Sequence, residues 1–273
     1  MSKSDKRKSR RRQLQASHQK NWLVGRYAVT EALLATKWPF QELYVASSLT
    51  PTEVREVAQL ADEAQVRIIR VDTERLTELS SADHHQGFAA RMGPYPYESP
   101  EHLQGRLRTV SHADSHVVPV VVVCDRIQDT FNFGAILRCC DATNVTAIVI
   151  GAAQQTGVTP QVARSSAGAV HHLPIVMAEQ LLDVVMELRN GGFQIVAASE
   201  KAAQSLWASD LRGPTVLVIG SEAHGVSPEL LDICDLQVSI PMMGKLNSLN
   251  ASVAAGILLY EIRRQQRSCS VSR

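Results

Sequence analysis

LQVSIPMMGKLNSLNASVAAGILLYEI, residues 236–262, is the stretch that says most about the fold of this chain. Its first five residues alternate between apolar and polar side chains, which predicts a short, half-buried strand. Pro241 ends that strand because proline has no backbone N–H to donate to a sheet. A turn containing Gly244 and Lys245 follows, and the apolar run after it is long enough to predict a helix.

The turn before this helix is rich in residues that cap helices or form polar sites. Asn247, Ser248 and Asn250 stand at the start of the helix, where Asn and Ser side chains accept hydrogen bonds from free N–H groups. Small residues crowd the same end of the helix: Ala251, Ser252, Ala254, Ala255 and Gly256. Two interpretations fit this composition, a capped and tightly packed helix or a functional site.

The bulk composition is typical of soluble globular proteins. Of the 273 residues, 45% are apolar and 20% are charged, and the length suits one large or two modest domains. No apolar run is long enough to cross a bilayer. The five cysteines are odd in number and form no CxxC pair, which predicts buried thiols in a reducing compartment and hence a cytoplasmic protein.

The charge is unevenly distributed along the chain. Residues 1–20 carry eight basic side chains and one acidic side chain, so this arm has a net charge of +7 and the remaining chain −6. An arm with so few apolar residues is predicted to be disordered and attracted to polyanions such as RNA, although a merely solubilising tail fits the same composition. It has no apolar h-region, so it is not a secretory signal.

Two α/β domains joined by a linker are predicted. Residues 21–91 alternate helix and strand patterns, and Thr50 followed by Pro51 marks the start of a helix over residues 51–64. Residues 92–116 contain three prolines and no sustained periodicity, which predicts a linker with at most a short helix at 101–107. Residues 117–267 form the second domain, and 268–273 are a tail.

The second domain is predicted to contain a parallel sheet covered on both faces. Its first strand, VVPVVVVC at residues 117–124, is almost entirely apolar, as expected of a strand buried on both sides. Further strands are predicted, with helical segments between them, at residues 146–150, 173–176, 193–198, 215–219 and 236–240. Ligands of such sheets bind outside the carboxyl ends of the strands.

Three polar loops follow strands of this sheet and predict a binding site. They read DRIQDTFNFGAILRCCDATNV after the first strand, GSEAHGVSPELL after residues 215–219, and PMMGKLNSLNASVA after residues 236–240. The sequence has no GxGxxG after the first strand, no GxxxxGK[ST] and no HExxH, so we expect neither a Rossmann dehydrogenase nor a P-loop NTPase, and no metal site.

Arg138 is the charged residue in these loops with the most apolar sequence neighbours. A guanidinium in such surroundings needs an anionic partner, because an unpaired buried charge is costly. One possible partner is a carboxylate of Asp125, Asp129 or Asp141 in an internal ion pair. The other is a phosphate or ribose of a ligand, with Asn132 on a nearby face of the same helix.

The three loops, written as DxxxDxxNxGAIxR, GSExxGVxxEL and IPMxGxxxSLNxSVA, resemble the motifs of the SpoU/TrmH ribose 2′-O-methyltransferases, which belong to the knotted SPOUT class. The segment ARSSAGAVHHLPI resembles the connection between the first two motifs. VGRYAVTEAL and HQGFAARM resemble the small substrate-binding domain of relatives that methylate a guanosine of large-subunit ribosomal RNA. The resemblance covers roughly residues 22–266.

This resemblance implies a fold and a reaction. The fold is an α/β knot, a trefoil-knotted parallel sheet flanked by helices, with a small N-terminal α/β domain like ribosomal protein L30e that binds the substrate. The reaction transfers a methyl group from S-adenosylmethionine to a ribose 2′-hydroxyl of structured RNA. Family members are homodimers with the last helix in the interface.

The resemblance also implies which residues form the site. Cofactor-binding positions fall on Gly220, Ile240, Leu249, Met242 and Leu217. Catalytic and structural polar positions fall on Arg138, Asn132, Glu222, Ser248 and Asn250. Two departures from the usual motifs are Thr130, where proline is common, and Ala223–His224, where small residues such as glycine are usual.

The reaction limits the role that Arg138 can have in removing the proton of the ribose hydroxyl. A ribose hydroxyl must lose its proton as it attacks a methyl group, and the family proposal makes the arginine the base. Guanidinium groups keep their protons in proteins, so stabilising the developing alkoxide and gripping the adjacent phosphate is the physically easier role. The predicted function is methylation of a guanosine in 23S ribosomal RNA. The alternatives are tRNA guanosine methylation, resistance-type methylation of a ribosomal RNA adenosine, or a non-catalytic RNA-binding or ribosome-assembly protein.

Overall fold

The structure, a computed structural model, describes residues 21–113 and 118–270, with side chains for all of these except 110–113 and 268–270. The basic arm predicted at residues 1–20 lies outside the described residues, as do the last three residues of the predicted tail. The chain divides into two compact units. The first comprises residues up to Pro96 together with Val158–His171, and the second comprises Tyr97–Gly157 together with the chain from His172 onward.

The first unit is built on a four-stranded sheet in the order β1-β4-β2-β3, in which only the β2–β3 pair is parallel. Its elements up to Met92 are β1 (Trp22–Val24), α1 (Arg26–Ala35), β2 (Phe40–Ala46), α2 (Pro51–Glu63), β3 (Ile68–Val71), α3 (Thr73–Ser80) and β4 (Phe88–Met92). The predicted start of α2 is confirmed. The Thr50 hydroxyl accepts the N–H of Glu53, and the Glu53 carboxylate accepts the N–H of Thr50, which together form a capping box.

The second part of the chain contains a seven-stranded sheet in the order β7-β6-β5-β10-β8-β11-β9, and every pair in it is parallel. The elements are α4 (Pro100–Ala113), β5 (Val120–Asp125), α5 (Thr130–Ala142), β6 (Ala147–Gly151), α6 (Pro160–Ser165), β7 (Ile175–Ala178), α7 (Leu181–Asn190), β8 (Gln194–Ala198), β9 (Gln204–Ser205), β10 (Thr215–Gly220), α8 (Pro228–Asp232), β11 (Leu236–Ser239) and α9 (Ala251–Ser270). Strand β5 is buried along its whole length, as predicted for a sheet covered on both faces.

Three features differ from the sequence-based expectation. The segment predicted as a linker contains the helix α4, which is longer than the predicted 101–107, and its Leu103 and Leu107 belong to the core of the second unit. Strands β1 and β9 have three and two residues, too few to show a period. Helix α6 and the following 3₁₀ turn, Ala169–His171, belong to the first unit.

The cysteines with described side chains are free thiols in or near the core. Cys124 and Cys140 are buried, whereas Cys139 and Cys234 are half-buried. Burial raises the pKa of the Cys124 thiol to about 12, with a further contribution from Asp125, and raises the pKa of Cys140 well above its usual range. These thiols are therefore protonated and poorly reactive at neutral pH.

Neither a helix able to span a membrane nor a cluster of metal-binding side chains is found in the described part of the chain. In residues 21–113 and 118–270, no helix combines the length and apolar character needed to span a membrane. Over the same ranges, no group of three or more His, Cys, Asp or Glu side chains is arranged to hold a metal ion.

Candidate active site at the carboxyl edge of the second sheet

The three predicted loops leave the sheet from the same edge. Strands β5, β10 and β11 run parallel, so the loops that follow Asp125, Gly220 and Ser239 all begin at their carboxyl ends. β5 and β10 are direct neighbours, and β8 lies between β10 and β11. This arrangement brings together polar segments that are far apart in the sequence.

Asn250 joins all three loops through its side-chain amide. Its Nδ2 donates to Oδ1 of Asn132 at 2.9 Å and to Oε1 of Glu222. Asn132 comes from the loop and helix after β5, Glu222 from the loop after β10, and Asn250 from the loop after β11. Three of the five predicted catalytic positions are thus in one hydrogen-bonded cluster.

The orientation of the Asn250 amide follows from its second role, as the cap of α9. Its Oδ1 accepts the backbone N–H of Ser252 at 3.0 Å and the Ser252 hydroxyl at 2.6 Å. With the oxygen engaged by the helix, the nitrogen faces the two oxygen acceptors of Asn132 and Glu222. The capping function and the polar cluster anticipated at this turn are therefore both served by one side chain.

Asp129 performs a matching task at the start of α5. Its Oδ1 accepts the backbone N–H of Asn132 at 2.7 Å, which caps the helix and sets the position of Asn132. The amino-terminal ends of α5 and α9 consequently meet at the cluster. Helix amino termini carry partial positive charge, which favours the Glu222 carboxylate and other negative groups there.

Gly220 is required by the shape of the loop after β10. A Cβ atom at this position would lie 2.0 Å from the carbonyl carbon of Gly225 and 2.1 Å from the backbone nitrogen of Val226. The loop closes through a hydrogen bond from the N–H of Gly225 to the carbonyl of Ser221 at 2.8 Å, and Gly225 has a φ of 66°. The backbone therefore folds back over Gly220 with no space for a side chain.

Asp125 and Arg126 connect the first loop to the second. From the sequence, the only role expected for either residue was a possible pairing of Asp125 with Arg138. The buried Oδ2 of Asp125 accepts the N–H of Ser227 at 2.6 Å, just after the Gly220–Val226 turn. Arg126, at a φ of 58°, forms an ion pair with Asp125 at 3.2 Å and reaches the carbonyl of Gly225 at 3.5 Å. The one signal available in the sequence was a carboxylate directly after an apolar strand.

Arg138 lies on the exposed side of α5, and among the described residues no ion pair joins it to Asp125, Asp129 or Asp141, so the structure does not support the internal ion pair, one of the two alternatives. Among the described residues, Asp125 pairs with Arg126 and Asp129 caps α5, and neither contacts Arg138. Its apolar sequence neighbours Ile136 and Leu137 are buried on other faces of the helix. Because a helix turns by about 100° per residue, apolar neighbours in sequence do not imply burial.

The remaining predicted site residues differ in their burial and in their distance from the loops. Ser248 is exposed in the loop before α9, and among the described residues no hydrogen bond joins it to the Asn250 cluster. Ile240, Met242 and Leu249 are half-buried in the same loop. Leu217 is fully buried in the middle of β10, where it pairs with Val122 and Val196, so it supports the sheet instead of lining the loops.

The position of the two unusual residues in the second loop is also clear. Ala223 and His224 are exposed at the tip of the turn after Glu222. The backbone N–H of His224 donates to the Ser221 hydroxyl at 3.3 Å, which helps to close the turn.

Two family profiles match the chain over most of its length. The profile of the SpoU rRNA Methylase family matches residues 119–260. The profile described as RNA 2′-O ribose methyltransferase substrate binding matches residues 22–98. A protein of Staphylococcus haemolyticus, named as a TrmH family tRNA/rRNA methyltransferase, is 33% identical over 247 residues, which cover 89% of this chain and 95% of the relative.

Solved structures are similar over nearly the whole chain. A structure described as an RNA 2′-O ribose methyltransferase is 28% identical with a TM-score of 0.68, covering 90% of this chain and 88% of the other. The SpoU methyltransferase AviRb from Streptomyces viridochromogenes is 25% identical with a TM-score of 0.72, covering 91% and 90%. An rRNA methyltransferase from Sinorhizobium meliloti, at 23% identity, has the same fold with a TM-score of 0.73, covering 89% and 87%.

Proposed function

The chain belongs to the SpoU rRNA methylase family, and from this premise we propose that it methylates the ribose 2′-hydroxyl of a guanosine in 23S ribosomal RNA, with S-adenosylmethionine as methyl donor. The observation that carries the proposal is the Asn250 cluster, which joins the three loops whose motifs resemble those of the family. Membership in a methylase family disfavours the alternative of a non-catalytic RNA-binding protein.

The loops fit S-adenosylmethionine. The turn over Gly220 presents backbone groups with no intervening side chain, and half-buried Ile240, Met242 and Leu249 offer apolar contact beside it. Ligand sites combine an apolar lining with a few fixed polar groups, as these loops do. When bound, S-adenosylmethionine supplies an electrophilic methyl group for transfer. We therefore keep Gly220, Ile240, Met242 and Leu249 as cofactor-binding residues and omit the buried Leu217.

Arg138 is the residue to which we assign the contact with RNA at the reacting ribose. Its exposed guanidinium can donate two parallel hydrogen bonds to a phosphate, and it can stabilise the negative charge that develops on the 2′-oxygen. The proton of the hydroxyl then passes to the phosphate or to water. Asn132, Glu222 and Asn250 hold the three loops in register, so that the reacting groups are correctly positioned. Ser248 stays in the proposal as an exposed side chain of the same loop.

The active form that we propose is a homodimer formed through α5 and α9. Phe131 of α5 is 63% exposed, and Val253 and Tyr260 of α9 are 50% and 60% exposed. Large apolar side chains grouped on helices that already pack together favour a protein interface. Phe131 and Arg138 are seven residues apart and share one face of α5, which would place Arg138 beside the partner.

Ribosomal RNA is the substrate favoured by the two-part organisation. The segment matching the substrate-binding profile precedes the methylase segment, whereas many tRNA-acting relatives of the resembled family lack such a module. Transfer RNA guanosine and an adenosine of ribosomal RNA are the alternatives. Mapping 2′-O-methylation across ribosomal RNA and tRNA from a strain without this protein decides among them. One guanosine of 23S RNA should lose its methyl group, and a lost site in tRNA or at an adenosine would replace the proposal.

Replacing Arg138 by lysine tests the reaction. Arg138→Lys keeps the positive charge but loses the planar guanidinium and its two parallel N–H donors. We therefore expect the rate of methyl transfer to ribosomal RNA to fall by about 100-fold or more. The dissociation constant for S-adenosylmethionine, measured by isothermal titration, should change by less than about twofold. Arg212→Lys, on an exposed arginine paired with Asp210, is the control and should retain full activity. Normal activity of Arg138→Lys would remove this residue from the chemistry, and no uptake of S-adenosylmethionine by the unaltered protein would contradict the proposal as a whole.

A further inference from the structure

A cavity of about 190 Å³ in the first unit lies among residues to which no role has been assigned. Its walls come from three segments that are distant in sequence. They are the start of α1 with the residues before it, Gln86 before β4, and the segment from Ala163 to His171. All three belong to stretches that resemble the family, VGRYAVTEAL, HQGFAARM and ARSSAGAVHHLPI. Their convergence on one cavity suggests a shared task.

The cavity wall is held in an unusual backbone conformation. Gln86 and Ala167 have φ angles of 52° and 50°, in the left-handed region that residues with a Cβ atom rarely adopt. The side chain of Gln86 accepts the N–H of Arg26 at 3.1 Å, which fastens the turn before β4 to the start of α1. Gly25 and Gly168 line the same cavity with φ angles of 103° and 87°. Left-handed conformations at residues other than glycine, as at Gln86 and Ala167, are often found around ligand sites.

The side chains around the cavity have the chemistry of a nucleotide site. Its apolar part includes Leu23, Val24 and Ala163. Tyr27 lines it and is 66% exposed, and its aromatic ring is the kind of side chain on which RNA bases stack. Glu31 contributes a carboxylate and Arg164 a guanidinium. These features match an aromatic base, its hydrogen-bond donors and a phosphate.

The charge of this unit argues for recognition of a base rather than of the RNA backbone. Residues 21–96 and 158–171 together contain eight basic and ten acidic side chains, a net charge of −2. A surface with this balance does not attract phosphates in general, because non-specific RNA binding depends on clustered lysine and arginine. A contact with RNA must therefore come mainly from stacking and from hydrogen bonds to base edges.

We propose that this cavity binds an unpaired guanine of the RNA substrate, with the base stacked on Tyr27 and hydrogen-bonded to Glu31. This inference rests on the proposed function, because it assumes an RNA substrate. The Watson–Crick edge of guanine has two adjacent donors, N1–H and the N2 amino group, which match the two oxygens of a carboxylate. Adenine and cytosine place a ring-nitrogen acceptor on that edge, and uracil has one donor between two carbonyls. Arg164 binds the neighbouring phosphate.

The test measures binding of short RNA to the full chain in the absence of S-adenosylmethionine. The probes are fluorescein-labelled UUGUU, the same oligonucleotide with inosine or adenosine in place of guanosine, and UUUUU, compared by fluorescence anisotropy at one salt concentration. Inosine lacks only the N2 amino group, so it reports one hydrogen bond to Glu31. We expect UUGUU to bind about tenfold more tightly than the inosine oligonucleotide, and still more tightly than the other two. Attraction by the basic arm affects all four probes equally.

Three variants connect the preference with the cavity. Tyr27→Ala and Glu31→Gln should each reduce the preference for UUGUU over UUUUU to within about twofold. Leu34→Ala is the matched control, because Leu34 is on the same helix, is 58% exposed and does not line the cavity. This control should keep the full preference. Glu31→Gln is nearly isosteric, and circular dichroism melting verifies that each variant is folded.

The outcomes separate this inference from the proposed function. Equal binding of UUGUU and UUUUU overturns the inference, and so does a guanosine preference that persists in both Tyr27→Ala and Glu31→Gln, because the base then binds elsewhere. Methyl transfer that is normal in the unaltered protein would leave the proposed function intact in either case. A guanosine preference that depends on Tyr27 supports the inference even if no ribose methylation is found.

Discussion

Gly220 shows how a single residue determines whether a loop can form. The backbone of Gly225 and Val226 passes so close that a methyl group at position 220 would require the turn to open. The carboxylate of Asp125 holds the end of the same turn through Ser227, so the turn cannot relax without losing a buried hydrogen bond.

Substituting Gly220 by alanine should therefore damage the site. We expect Gly220→Ala to lower the free energy of unfolding by about 3 kcal/mol and to weaken S-adenosylmethionine binding by about tenfold or more. Isothermal titration and urea unfolding measure these two effects. Gly213→Ala, just before the same strand, is the control, since a Cβ atom there meets no atom within 4 Å. Unchanged cofactor affinity in Gly220→Ala would show that this turn is not part of the cofactor site.

At the level of elements, α9 connects the site to the rest of the second unit through its first turn and through Arg263 in its second half. Its first turn is capped by Asn250, which also binds Asn132 and Glu222. Further along the helix, Arg263 donates to the carbonyl of Thr143 after α5 and to the carbonyl of Val118 before β5. The helix thus aligns the loop of the third motif with the elements that flank the first.

Two substitutions of Asn250 separate its roles as a cap and as a bridge. Asn250→Ala removes both, so it should lower the free energy of unfolding by about 1 kcal/mol and reduce methyl transfer. Asn250→Ser retains a capping oxygen but is too short to donate to both Asn132 and Glu222. We expect the stability of Asn250→Ser to be close to that of the unaltered protein, with methyl transfer reduced by about tenfold or more. Full activity of Asn250→Ser would mean that the bridge is dispensable.

Arg263 should be a major contributor to stability. Its guanidinium makes hydrogen bonds to carbonyls of Thr143, Val118 and Asn144 and to the side chain of Gln266, and burial lowers its pKa. A lysine ammonium group cannot donate to all of these acceptors at once, so Arg263→Lys leaves carbonyls without a hydrogen bond. We therefore expect this substitution to lower the free energy of unfolding by about 2–4 kcal/mol. Urea unfolding measures the change, and exposed Arg267→Lys is the control. A loss below about 0.5 kcal/mol would contradict this role.

For the whole molecule, the exposed apolar side chains of α5 and α9 lead to a prediction about assembly. The proposed homodimer should sediment at about twice the chain mass of 29.9 kDa. Tyr260→Glu places a charge in the proposed interface and should shift the protein toward the monomer, with loss of methyl transfer, because a buried unpaired carboxylate is costly. Leu34→Glu, also on an exposed apolar residue but in the first unit, should leave the mass unchanged. A monomer at micromolar concentration of the unaltered protein would exclude the homodimer.

Much of the architecture was predictable because it depends on short-range patterns. The start of α2 at Pro51 follows from Thr50 and Glu53, three residues apart, and the apolar run of β5 reports burial on both faces. Helix α4 was hidden by the two prolines that precede it, by the proline at its first position and by its charges, although Leu103 and Leu107 have helical spacing. The trefoil knot implied by the resemblance stays a prediction.

The sequence by itself determined the parallel sheet, the caps, the three polar loops and, through their motifs, the family. These features depend on contacts within a few residues or on the order of residue types along the chain. Only the tertiary structure decided that Asn250 meets Asn132, 118 residues away, and Glu222, 28 residues away, that Arg138 is exposed, and that Leu217 is buried. The physical reason is that strand order and helix packing decide which distant side chains come within hydrogen-bonding distance, and no local pattern specifies them. Within residues 236–262, the capped helix and the polar site proved to be one structure, because Asn250 serves both.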